Sequence, residues 1–127
     1  MIDAFLRKAE KNLQAAKVCL ENELYDAAAN RAYYAAFQAA VAALASQGVK
    51  KERLDHKWVQ AQFNARFIKK EKKIPGQLKS FLPKMIVVRE RADYKSEGVS
   101  KAVAGKQVAR AEEFVLAIRK ALSNDQF

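Results

Sequence analysis

Residues that break regular structure are scarce in this chain: of its 127 residues only four are glycine and two are proline. So few breakers leave an all-helical bundle with short connections as the economical solution. Cysteine is limited to Cys19, which cannot pair within the chain, and no Cys/His cluster has zinc spacing. Disulfide and zinc staples are therefore excluded, and a reducing compartment is the natural setting. No His-x-x-x-His or Glu-x-x-His pair is present to hold a metal, so neither metal catalysis nor a cofactor is expected. There is no glycine-rich phosphate loop, no strand leading into a helix to carry one, and no serine elbow. The N-terminus reaches Asp3 and Arg7 before any apolar run develops, which argues against a secretory signal or a membrane span. A soluble, cytoplasmic protein is expected. With no internal repeat, low-complexity tract or linker, and a length below the roughly 150 residues of a typical domain, residues 1–127 read as one domain. A chain of this size buries roughly two-thirds of its unfolded surface, enough for a core without staples.

Alanine and positive charge are what the chain has in abundance. Alanine occurs 24 times and has the highest helix propensity. Lys plus Arg number 24 against 14 for Asp plus Glu, a net charge of +10. Residues 1–48 are neutral overall, and the excess lies beyond them. The densest cluster is Lys50, Lys51, Arg53 and Lys57, then Arg66, Lys69, Lys70, Lys72 and Lys73. It reads either as a surface for phosphates or another acidic partner, or as a solvated face that keeps the protein soluble.

Hydrophobic spacing predicts five helices. Leu6, Ala9, Leu13, Ala16 and Leu20 recur every three or four residues after a possible Asp3 cap, giving a helix over residues 3–22. Tyr25–Gln47 is helical again, with Tyr34, Phe37, Val41 and Leu44 on one stripe, abundant alanine for close helix approach, and Gly48 as the stop. Asp55 can cap a third helix to about Lys70, with Leu54 and Val59 placed to form a staple, burying Val59, Phe63 and Phe67. A fourth carries Leu78, Phe81, Leu82, Met85 and Val88 towards Tyr94, with Pro83 either in its first turn or kinking it. Ser100 caps the last, whose Ala104, Val108, Ala111, Val115, Ile118 and Leu122 form the best amphipathic pattern. The expected fold is all-α: an antiparallel, up-down bundle of four long helices plus a short fifth.

Two polar clusters stand out. On the second helix, offsets of three, four and seven residues align Arg31, Tyr34 and Gln38 on one side. On the fourth, Arg89 and Asp93 lie one turn apart, with Tyr94 at the helix end. Arg89 and Asp93 form either a simple intrahelical ion pair or a fork for phosphate, because guanidinium matches phosphate geometry at two points. His56, the only histidine, falls in the first turn of the third helix, where the dipole disfavours its charged form. It is either a surface or capping residue or a neutral imidazole able to serve as a general base.

Four segments in order, Asp26-Ala27-Ala28-Ala29-Asn30-Arg31-Ala32-Tyr33-Tyr34-Ala35-Ala36-Phe37, Asp55-His56-Lys57, Arg89-Glu90-Arg91-Ala92-Asp93-Tyr94 and Ala111-Glu112-Glu113-Phe114-Val115, resemble a HEPN domain over about residues 3–122. The resemblance is to the small stand-alone prokaryotic branch often encoded beside a minimal nucleotidyltransferase. It implies a bundle that dimerises, with the polar residues of the second and fourth helices near a shared cleft. In active members it implies metal-independent RNA cleavage by an arginine followed four to six residues later by histidine. Arg89 matches the arginine, but the fifth residue after it is Tyr94, and Gln38 stands where similar proteins often carry another histidine. Tyrosine is a poor base at neutral pH and glutamine transfers no proton. The resemblance thus implies a nucleotide- or RNA-binding or regulatory module in a toxin-antitoxin-like two-gene system, using Arg31, Tyr34, Gln38, Lys57, Arg89, Asp93 and Tyr94. The alternative is a ribonuclease toxin using Arg89 with Tyr94 or His56. A third reading reserves the polar face for dimerisation alone.

Overall fold

Alanine and leucine spacing sets the first helix. In the computed structural model, which describes residues 2–49, 55–70 and 74–123, with Lys69 and Lys70 as backbone only, α1 spans Ile2–Glu21 and buries Ala9, Leu13 and Ala16. Asp3 lies inside the first turn and is not the cap, because the helix has already begun at Ile2. Its carboxylate there complements the helix dipole. The chain then reverses over three residues: Leu24 N–H reaches Cys19 O at 2.8 Å and Glu23 N–H reaches Leu20 O at 3.2 Å, with Glu23 at φ 63°. This paired closure is the usual way a helix C-terminus satisfies its last carbonyls.

The second helix, α2, spans Tyr25–Ser46 and ends on the same device, with Gly48 at φ 74° donating to Ala45 O and Val49 donating to Leu44 O. The helix α3, His56–Phe63, begins at Asp55, whose carboxylate accepts from Trp58 N–H at 3.1 Å. Leu54, its expected staple partner, lies outside the described residues, as do Lys50, Lys51, Arg53, Lys72 and Lys73 of the basic cluster. The expected continuous α-helix to Lys70 is corrected: from Asn64 to Lys70 the chain widens into a π-helical segment. The wider turn lets Phe67 and its neighbour Ile68 both reach the core beside Phe63.

A 3-10 turn, Gly76–Ser80, leads into α4, Phe81–Tyr94. Pro83 is the third residue of α4, so it sits in the first turn, where its missing N–H costs nothing, and makes no kink. The last helix, α5, spans Lys101–Ser123, and Ser100 Oγ accepts from Val103 N–H at 3.2 Å as its cap. Among the described residues there is no strand, and no helix is long and apolar enough to cross a membrane.

Every other helix packs against α2. That changes the expected single stripe of Tyr34, Phe37, Val41 and Leu44: residues Ala39 to Leu44 are all buried, and Tyr33 is fully buried while Tyr34 is not. A helix enclosed on all sides must be apolar all round, and alanine is what lets four neighbours approach it. Phe63, Phe67 and Phe114 fill one part of the core, with Phe63 5.3 Å and 5.2 Å from the other two rings. Gln107 of α5 is a buried polar side chain that donates through Nε2 to Met85 O at 2.9 Å and Ala29 O at 3.3 Å, tying α4 to α2. The connection from α4 to α5 is pinned from α2, where Asp26 Oδ1 accepts from Val99 N–H at 2.9 Å. Arg91 Nε fastens the same connection by donating to Gly98 O at 3.0 Å.

Candidate anion-binding site

The N-terminal half of α2 and the C-terminal half of α4 face each other, and their polar residues meet there. Helical spacing places Arg31 beside Tyr34 and Arg89 beside Asp93. Asn30 Nδ2 donates to both carboxylate oxygens of Asp93 at 3.1 Å, and Asp93 Oδ2 accepts from Arg89 Nε at 3.1 Å. On the other side Asn30 Oδ1 accepts from Arg31 Nε at 2.9 Å. A relay of Arg31, Asn30, Asp93 and Arg89 therefore crosses from one helix to the other. Arg31 also donates to Asn12 Oδ1 of α1 at 3.3 Å. Both guanidinium carbons lie against the Tyr34 ring, Arg31 at 5.5 Å and Arg89 at 5.4 Å from its centroid. Cations favour the negative face of an aromatic ring, so Tyr34 gathers both charges at one place.

The charge balance of the cluster is uneven. Asp93 pairs with Arg89, while among the described residues the hydrogen-bond partners of Arg31 are neutral amides and no carboxylate pairs with it. Arg89 is oriented through Nε alone, and its two Nη groups have no protein partner among the described residues. Fixed guanidinium N–H groups with nothing to donate to form a fork of the kind that receives a phosphate or carboxylate at two points.

His56 borders this cluster. Its Nδ1 lies 2.6 Å from Tyr33 Oη, and its ring packs against Phe37, Tyr33 and Tyr34 at centroid distances of 4.8, 5.4 and 6.3 Å. Burial, with the nearby Arg89 charge, holds the imidazole pKa below its usual range, outweighing Asp55 and Glu90, which pull the other way. Burial likewise pushes the Tyr33 phenol far above its usual range. Both groups are neutral at pH 7.

Of the residues singled out in the sequence, the structure brings together Arg31, Tyr34, Arg89, Asp93 and His56. Gln38 is half-buried one turn beyond Tyr34, and its Oε1 is buried with no hydrogen-bond partner among the described residues. Lys57 is exposed on α3. Tyr94 points away from the aromatic cluster: it is 74 % exposed and lines a separate groove with Val87, Glu90, Arg91, Lys95 and Glu97, though it is near enough to act on Arg89 electrostatically. Sequence reasoning missed Asn30, Asn12 and Tyr33. Asn30 was signalled only by adjacency to Arg31, and Tyr33 was hidden because neighbouring tyrosines point about 100° apart on a helix. Among the described residues no group of three His, Cys, Asp or Glu side chains is placed to hold a metal ion.

Fold and site together define a helical bundle with two arginines gathered on one tyrosine between its second and fourth helices. The HEPN domain family matches residues 2–121, and the chain belongs to that family. It is similar to the Methanocaldococcus jannaschii protein named "Putative toxin MJ0605", with 35 % identity over 123 residues, covering 95 % of this chain and 88 % of the relative. It is also similar to a Thermotoga maritima protein named "UPF0332 protein", with 35 % identity over 94 residues, covering 74 % of this chain and 69 % of that one.

Proposed function

We propose that this HEPN protein is a toxin-like module that binds a nucleotide or RNA phosphate between α2 and α4 without cleaving it. The observation that carries this reading is the meeting of Arg31 and Arg89, from two separate helices, on the Tyr34 ring, with no carboxylate among the described residues paired to Arg31. Guanidinium groups so placed bind an anion, while the proton-transfer partner that cleavage needs is missing from the fifth position after Arg89, where Tyr94 stands exposed. The toxin name of the archaeal relative supports a toxin-like role. In this proposal the chain acts in the cytoplasm as a homodimer and is controlled by a minimal nucleotidyltransferase, to which the exposed Tyr94 hydroxyl offers an acceptor.

The test is fluorescence anisotropy with a dye-labelled single-stranded oligoribonucleotide, followed by a denaturing gel of the same mixtures. Binding that weakens about tenfold in Arg31→Ala and in Arg89→Ala, and that falls steeply with added salt, is expected. RNA fragments that disappear in Arg89→Ala would instead establish the ribonuclease alternative, with Arg89 as phosphate anchor. Absence of any affinity retires the anion site and leaves the polar face to dimerisation.

A further inference from the structure

Tyr33 is a fully buried residue bordering the cluster of arginines. Its hydroxyl oxygen lies 2.6 Å from His56 Nδ1. A buried neutral phenol must place its own proton on an acceptor. Among the described residues the acceptor within hydrogen-bond distance of that hydroxyl is His56 Nδ1. The imidazole is neutral, so Nδ1 carries no hydrogen and the ring's single proton resides on Nε2. Among the described residues Nε2 has no protein partner.

The orientation is fixed twice over. The hydroxyl of Tyr33 selects the tautomer, and the rings of Tyr33, Tyr34 and Phe37 hold the imidazole plane. Because Nδ1 is occupied by a donor and Nε2 already bears hydrogen, neither nitrogen has a lone pair free to take a proton from a ligand. The ring retains one capability, donating from Nε2–H, and the Arg89 charge is near enough to act on the ring electrostatically. The charged and titratable groups around it, Arg89 and Glu90 from α4, Tyr33 and Tyr34 from α2, and Asp55 at the start of its own helix, leave that neutral state in place.

We infer that His56 is a neutral hydrogen-bond donor of the anion site, its Nε2–H held ready for a phosphate oxygen by the Tyr33 hydroxyl, and that Tyr33 is the positioning residue that sets this role. The inference rests on the anion-binding reading above and narrows it: the ligand presents a phosphate oxygen as acceptor to two guanidinium groups and one imidazole N–H, and His56 is not its general base. Tyr33 acts through His56 and does not touch the ligand.

Long-range 1H–15N NMR of the free protein at pH 7 reads the tautomer directly. A protonated-type nitrogen at Nε2 and an unprotonated-type one at Nδ1 are expected, with the two signals converging towards a tautomer mixture in Tyr33→Phe. Titration with inorganic phosphate is then expected to move the Nε2 resonance. Phosphate affinity should fall roughly tenfold in His56→Leu, as for one lost hydrogen bond to a charged acceptor, and survive in His56→Gln, whose amide keeps a donor near the same position but moves no proton. A proton found on Nδ1 in the free protein overturns the inference whatever phosphate does. Phosphate binding that needs Arg31 and Arg89 but is unchanged in His56→Leu overturns it while the anion site stands. No phosphate binding by the wild-type chain overturns the anion site and the donor role together, and the tautomer measured beforehand tells that failure from the first.

Discussion

Gly98 sits where a side chain would collide with the carboxylate that pins the connection between α4 and α5. Its φ is +68°, and a Cβ there would lie 2.6 Å from Asp26 Oδ1 and 2.7 Å from Oδ2. In Gly98→Ala the left-handed backbone costs about 1–2 kcal/mol, of which about 0.4–1 kcal/mol is recovered from the stiffer unfolded chain. The carboxylate must also rotate away, which breaks its bond to Val99 N–H; a hydrogen bond to a charged acceptor contributes about 1.5–3 kcal/mol. The sum is a loss of about 2–4 kcal/mol, or a melting temperature lower by on the order of 10 °C. Gly48 is an internal control, with φ +74° and nothing within 4 Å of its added Cβ, so Gly48→Ala carries only the backbone term of about 1 kcal/mol. Urea unfolding of Gly98→Ala, Gly48→Ala, Asp26→Ala and the Gly98→Ala/Asp26→Ala double variant measures each term. Once Asp26 is truncated, Gly98→Ala should cost no more than Gly48→Ala, because the contact it breaks has gone. Equal losses in the two glycine variants, or a Gly98 cost that persists without the carboxylate, would refute the reasoning.

Two further outcomes follow from buried groups. Gln107→Met removes two hydrogen bonds to carbonyls of α2 and α4 that lie within helices, and also removes Oε1, which is buried without a protein partner. These effects oppose each other, so the variant should stay within about 1 kcal/mol of wild type in urea unfolding, and a loss above about 2 kcal/mol would show the bridge to be structural. Since the folded pKa of His56 lies below its unfolded value of 6.5, the unfolded chain takes up the proton first as the solution is acidified. Its contribution is thus fully present above pH 6.5 and lost as pH falls from there through the folded pKa, a slope that His56→Gln should lack when midpoints are compared across pH.

Features set by a residue and its near neighbours along the chain were legible in the sequence. Asp55 and Ser100 cap their helices, Gly48 closes α2, and the four-residue spacing of Arg89 and Asp93 gives the ion pair, since a helix turn brings each of these groups to its partner. Contacts between helices were less so. The Asn30 to Asp93 and Arg31 to Asn12 hydrogen bonds depend on how α4 and α1 lie against α2, and alanine, small on every side, marks no face from which that packing can be read. The same ambiguity hid which of the adjacent tyrosines enters the core: Tyr33 is buried and bonds His56, while Tyr34 receives the guanidinium groups. The π-helical turn after Phe63 was equally hidden, because it answers to the combined packing of Phe63, Phe67 and Ile68 and not to any one residue's propensity.

The location of the site follows from where α2 stops being enclosed. Between Ala39 and Leu44 every position is buried, and a guanidinium there would be stripped of water with no carboxylate to meet it. Nearer its N-terminus the helix is only partly covered, so Arg31 keeps contact with solvent and needs nothing more than the amides of Asn30 and Asn12 to hold it. Pairing it with an acid would have ordered it equally well and cancelled its charge. Instead Asp93 aims Arg89, and Asn30 is shared between Asp93 and Arg31, so both cations are oriented while no carboxylate among the described residues pairs with Arg31. An arrangement built only to join two helices gains nothing from leaving Arg31 without an acid, whereas the anion site proposed above requires it.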